Sequence, residues 1–199
     1  MKTIVTKFGG SSLADSIHFK KVRNIIESNS YRKYVIPSAP GKRSSKDFKV
    51  TDLLYLCHAH VNSSISLDDV FKLISDRYHS IVAELNLNLD LDYYLNIIKN
   101  DIENGASADY TASRGEYLNG IILANYLDID FVDAKDVIKF NKYGTLNIKE
   151  TYALLKDKLS QHERAVIPGF YGSDENGEIV TFSRGGSDVT GALVAASIN

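Results

Sequence analysis

The 199 residues are 44% hydrophobic and 24% charged, with a formal net charge of −2, a balance that excludes intrinsic disorder and suits one sizeable globular domain or two small ones burying roughly 70% of the extended chain's surface. Lysines and arginines are spread along the chain, so no basic face for a phosphate backbone is visible and nucleic acid is not an expected partner. With Cys57 alone there is no disulfide framework. With neither a signal-peptide hydrophobic region nor an apolar run near the roughly 18 residues of a membrane span, the reading is a cytoplasmic protein with no membrane association.

Thr3 to Thr6 is a β-branched run, predicting a strand that leads into Gly9-Gly10-Ser11-Ser12. A helix is predicted from Asp15 to Ser28, with Phe19, Val22, Ile25 and Ile26 at spacings of three and four, and a second strand at Tyr34 to Ile36, ended by Pro37. After the polar loop "SAPGKRSSKDFK" the period is helical through "TDLLYLCHAH", "LDDVFKLISDRYHSIVAELN" and "LDYYLNIIKNDIEN", with Thr51, Ser66 and Asp90 as N-cap candidates. A helix at Tyr110 to Leu127 is polar in its first half and apolar in its second. "DIDFVDA" is a third strand, "LNIKETYALLKDKL" a helix and "AVIPGFYG" a fourth strand. A turn at Asp174 to Gly177 leads to a strand at Ile179 to Phe182 and a last helix at Ser187 to Ile198. This alternation predicts an α/β fold, a three-layer sandwich around a mainly parallel sheet, in which ligands gather at the carboxyl ends of the strands.

Three segments carry chemistry. Lys7-Phe8-Gly9-Gly10-Ser11 puts a lysine and two glycines before a helix start, where close backbone approach, free amides and a compact cation suit phosphate; a tight strand-to-helix turn with a solvent lysine would use the same residues. Arg184-Gly185-Gly186-Ser187-Asp188 repeats the pattern. There arginine can grip a carboxylate or phosphate through two parallel hydrogen bonds, and Asp188 either orients a lysine or a metal ion or only favours the helix start. In Ser113-Arg114-Gly115-Glu116, a helix-interior glycine costs roughly 1 kcal/mol against alanine and marks a close contact; Glu116 either receives an ammonium group or lies on a solvated face. Ser38 and Thr51 flank the loop after the second strand, as substrate-binding hydroxyls or as ordinary loop and cap residues. His58, His60 and His79 lack metal-ligand spacing, so no metal site is assigned to side chains.

Taken in order, "KFGGSS", "SAPGK" with "VTDLL", "SRGEYLNG" and "GFYGSDENGEIVTFSRGGSD" resemble the aspartate kinases of the amino acid kinase family. The resemblance implies transfer of the ATP γ-phosphoryl group to the side-chain carboxylate of L-aspartate, giving 4-phospho-L-aspartate, with Mg2+ on the nucleotide phosphates. It implies that Lys7 stabilises the transferring group and that Asp188 organises the lysines. Phe8, Gly9, Gly10 and Ser11 would cradle phosphates with Lys7, while Arg184 holds the substrate α-carboxylate and Glu116 its ammonium. Ser38, Thr51 and Ser187 would complete the aspartate pocket.

The length implies the amino-terminal, acceptor-binding lobe alone, without the lobe for adenine and ribose or the ACT regulatory domains. The expectations that follow are little turnover by this polypeptide alone and homo-oligomer formation or self-association through apolar surface left exposed. A kinase for another amino acid and a non-catalytic aspartate-binding or regulatory fragment are the alternatives.

Overall fold

In the computed structural model, which describes residues 3–198, the opening β-branched run forms β1, Ile4–Phe8, so Lys7 lies within the strand. A single 3-10 turn, Gly10–Leu13, leads to α1, Ser16–Glu27, whose N-cap Asp15 accepts from the His18 amide. Next come β2, Arg32–Pro37; α2, Val50–Asn62; α3, Asp68–Glu84; α4, Leu91–Glu103; and α5, Ala108–Leu127. The chain then forms β3, Asp130–Phe131; α6, Ala134–Val137; α7, Ile148–Ser160; β4, Ala165–Val166; β5, Tyr171–Ser173; β6, Ile179–Thr181; and α8, Gly186–Ser197.

Strands β1, β2, β4 and β3 form one parallel sheet in that order. Alternation along the strands builds a core on each face. Val35 and Val166 join the helices α1 to α5, whereas Tyr34, Ile36, Ala165 and Ile167 join α7 and α8. Full burial of an aliphatic side chain of this kind is worth about 1.5–3 kcal/mol, so the alternation fixes which side of the sheet each helix covers. This is the three-layer sandwich that the strand and helix alternation implies.

Local differences from the sequence reading have identifiable causes. "AVIPGFYG" is two strands in two sheets, because Pro168 has no amide for the ladder and Phe170 takes a left-handed φ of 81°. After that reversal β5 pairs antiparallel with β6, through the turn in which Gly177 has φ 85°. Asp90 caps α4 through the Tyr93 amide, but Thr51 lies inside the first turn of α2, and Ser66 accepts from Asp68 one residue ahead of the N-cap of α3. Ile25, counted in the apolar stripe of α1, is 45% exposed, and the core side is carried by Phe19, Val22 and Ile26. Cys57 is fully buried, and burial pushes its thiol up to about 12, so it is an unreactive core residue.

Candidate active site

The loop after β2 is held against the first glycine turn by backbone alone. The Gly41 amide donates to the Gly10 carbonyl at 2.8 Å. A Cβ at Gly10 would stand 2.7 Å from the Ala39 carbonyl oxygen, and one at Gly41 2.7 Å from the Gly10 carbonyl carbon, so any side chain at either position would separate the two turns. The far side of the loop is clamped by Arg77 of α3, buried to 4% exposure, which donates to the Gly41 carbonyl at 2.9 Å and to Asp47 at 2.5 Å. Arg43, bonded to the same carboxylate, together with Arg77 holds Asp47 well below the usual carboxylate range.

This packing leaves a cavity of about 430 Å³ lined by Gly10, Ser11, Ser38, Gly41, Thr51 and Glu116, with Lys42 and Lys49 at its edge. Glu116 reaches it from α5, whose close approach depends on Gly115. A Cβ there would lie 2.8 Å from Ala39 Cβ and 3.3 Å from Leu54 Cδ1, and the Gly115 carbonyl accepts from buried Tyr78 at 2.7 Å. Glu116 is 6% exposed, and its Oε2 has no hydrogen-bond partner. Burial pushes its pKa up to about 7, opposed by the Ala39 amide and by the charge of Arg114. A carboxyl group in this state is short of a cationic donor, which a ligand ammonium would supply.

The second glycine loop meets this cavity at one hydroxyl contact. Ser38 Oγ donates to Ser187 Oγ at 2.9 Å, joining the end of β2 to the first turn of α8. That turn fits because Gly169 has no side chain: a Cβ there would fall 2.5 Å from both Ser187 Cβ and Oγ. Gly185 caps α8 with φ 58°, and Gly186 packs against Phe170, whose Cα would be 2.7 Å from an added Cβ. Asp188, in the first turn, pairs with Lys7 Nζ at 3.1 Å, the two side chains being 71% and 30% exposed. The pair is open to solvent and of small intrinsic stability, but it places a lysine beside the amino end of a 12-residue helix, a favourable position for an anion.

Ser11, Ser38, Thr51 and Glu116 thus share one cavity, with Ser187 bonded to Ser38 and the Lys7–Asp188 pair on the adjoining loop. Phe8 contributes through its backbone, because its side chain is in the core while its carbonyl accepts from the Ser38 amide at 3.0 Å. Arg184 is not brought into the cavity; it is exposed and makes no hydrogen bond or ion pair with a described residue. Three supports of the site carry no motif in the sequence. Asn119, one turn beyond Glu116, donates to the Ser38 carbonyl at 2.6 Å. Asp109 accepts from the Thr181 amide and hydroxyl at 2.9 and 3.0 Å, tying β6, and so the arginine loop, to the start of α5. The Arg77–Asp47 clamp is the third. Only helical spacing could have hinted at Asn119, which stands three residues after Glu116 on the same face.

The profile of the family described as "Amino acid kinase family" matches residues 2–199. Aspartokinase 3 of Bacillus subtilis is 34% identical over 96% of this chain and 45% of its own length. The crystal structure of Clostridium acetobutylicum aspartate kinase superposes with a TM-score of 0.98 at 62% identity, over 100% of this chain and 46% of that one. Escherichia coli aspartokinase III, solved in complex with aspartate and ADP, shares the fold with a TM-score of 0.81 at 22% identity, over 99% of this chain and 47% of that one. The chain spans about half the length of these relatives. With the parallel sandwich, the paired glycine turns and the buried glutamate in place, the chain belongs to the amino acid kinase family.

Proposed function

We propose that the chain is the acceptor-binding lobe of an aspartate kinase, which moves the γ-phosphoryl group of ATP to the side-chain carboxylate of L-aspartate. The observation that carries this reading is the buried Glu116 carboxylate, whose Oε2 has no hydrogen-bond partner, in a cavity with Ser38 and Thr51, next to a lysine-bearing glycine turn. Glu116 receives the substrate ammonium, Ser38, Thr51 and Ser187 offer hydroxyls, and Arg184, free of partners, closes on the α-carboxylate. Lys7 stabilises the transferring group beside the amides of Gly9, Gly10 and Ser11, and Asp188 holds that lysine in place.

Bringing two anions together makes positioning and charge neutralisation the main contributions of the protein, and the substrate carboxylate is itself the nucleophile. Support for ATP comes from the relative solved with aspartate and ADP. Mg2+ is assigned to the nucleotide phosphates, whose oxygens are the hard ligands that it prefers. When bound it supplies neutralisation of polyphosphate charge. Adenine and ribose are left to a second lobe, of the kind that the greater length of the relatives can accommodate.

Calorimetric titration at pH 8 tests the acceptor assignment by comparing L-aspartate with succinate, which has both carboxylates and no ammonium. Saturable binding of L-aspartate at least tenfold tighter than of succinate is expected. Equal binding of the two would remove Glu116 from its role.

A further inference from the structure

The motif Ser113-Arg114-Gly115-Glu116 is only half used by the site described above. Residues two apart on an α-helix are rotated by roughly 200° about its axis, so Arg114 faces away from the cavity that Glu116 enters. It is nevertheless buried, at 5% exposure. Its guanidinium carbon lies 4.4 Å from the ring centre of Tyr110, 4.5 Å from that of Tyr117 and 5.4 Å from that of Tyr171. Nε and Nη2 both donate to Ser113 Oγ, at 3.1 and 2.9 Å, and that hydroxyl donates to the Tyr110 carbonyl at 2.6 Å, which orients it as an acceptor for the arginine.

A guanidinium carries five N–H donors, and a buried cation ordinarily has a carboxylate partner. Arg114 uses two donors, on a neutral hydroxyl, and has no ion pair among the described residues. The carboxylates in the neighbourhood are committed elsewhere: Asp101 accepts from the Tyr110 hydroxyl, and Asp133 accepts from the Tyr171 hydroxyl and the Lys135 amide. Arg114 itself lines a cavity of about 520 Å³ between α4, α5 and α6, walled by Tyr93, Tyr94, Ile97, Tyr117 and Lys135. The aromatic wall is continuous, with Tyr94 edge-on to both Tyr93 and Tyr117.

We propose that this cavity is a binding site for a small organic monocarboxylate, with the carboxylate on Arg114 and an apolar body against Tyr93, Tyr94 and Ile97. The chemistry selects that class. The guanidinium fork matches a carboxylate, tyrosine faces and an isoleucine accept an apolar body, and Asp101 in the same wall opposes a multiply charged phosphate. The site is on the other side of α5 from Glu116 and is independent of the acceptor assignment.

Benzoate is the probe, followed by 1H–15N correlation spectra of the chain, with the Arg114 Nε–H signal and the backbone amides of Tyr94 and Tyr117 as reporters. Benzoate is expected to shift these signals saturably, with neutral benzamide and small acetate each binding at least tenfold more weakly. Arg114→Gln should abolish the effect. Because that change also removes buried packing, Ile97→Glu is the second variant: its position is 42% exposed, so the fold tolerates it, and a carboxylate there should weaken benzoate at least fivefold. Equal shifts from benzoate and benzamide, no saturable shift, or shifts centred on Ser38, Thr51 and Glu116 would each overturn the proposal.

Discussion

Replacing Glu116 by glutamine removes a buried ionisable group while keeping its size, and the structure sets the sign and scale of the result. The carboxyl is pushed from 4.5 to about 7 by burial. Below pH 4.5 it is protonated in both folded and unfolded chains and contributes no pH dependence. Between 4.5 and about 7 the unfolded chain releases the proton and the folded chain keeps it, so stability falls as pH rises. Above about 7 the full penalty of a buried, unpaired carboxylate is present. At 1.36 kcal/mol for each tenfold change, the penalty is about 3 kcal/mol. Glu116→Gln is therefore expected to match the wild type at pH 4.5 and to exceed it by up to about 3 kcal/mol at pH 8.5. Urea unfolding followed by circular dichroism reads this directly: with a slope of about 2–3 kcal/mol per molar, the midpoint should rise by roughly 1 M at pH 8.5. The difference between the two proteins isolates Glu116 from every other titrating group. A midpoint gap independent of pH, or a variant less stable at pH 8.5, would show that burial does not raise the Glu116 carboxyl.

Further predictions follow from the same geometry. Affinity for L-aspartate should rise as pH increases through about 7, because the ammonium needs the ionised carboxylate of Glu116; calorimetry that finds a flat profile from pH 6 to 8.5 would contradict this. Gly169→Ala places a methyl group 2.5 Å from Ser187 and should cost about 1–3 kcal/mol while weakening aspartate binding. Gly191→Ala, whose nearest atoms stand at 3.8 Å, should instead stabilise by up to about 1 kcal/mol through helix propensity, a contrast that thermal melts resolve. Asp47→Asn leaves Arg77 buried without its carboxylate and should lose about 3–5 kcal/mol at pH 7. The loss should persist at pH 5, since Asp47 is held below the usual range and is still ionised there.

Much of this was legible in the sequence where the signal is local. The β-branched run at β1, the helical period from α2 to α4 and the glycines beside Lys7 and Arg184 each report a conformation within a few residues. Glycine at 115 likewise signalled a close contact, found against Ala39 and Leu54. What escaped depends on partners far apart in the chain. Asp47 and Arg77 are 30 residues apart, Asn119 and Ser38 81, and Asp109 and Thr181 72, and nothing in their own surroundings announces the pairing. The division of "AVIPGFYG" was half visible: Pro168 predicts an interruption of the ladder, but the left-handed φ at Phe170, which packs against Gly186 from the other glycine loop, has no local signal. Nothing beside Arg114 in the sequence places its guanidinium in the interior, and only the fold shows three tyrosine rings around it.

The most direct test of the acceptor assignment is a crystal structure of the chain grown with L-aspartate at pH 8. The ligand is expected in the cavity between the two glycine turns, its ammonium nitrogen about 2.8 Å from Glu116 Oε2 and a carboxylate within reach of Ser38 and Thr51. Aspartate bound elsewhere, or bound in that cavity with its ammonium turned away from Glu116, would contradict it.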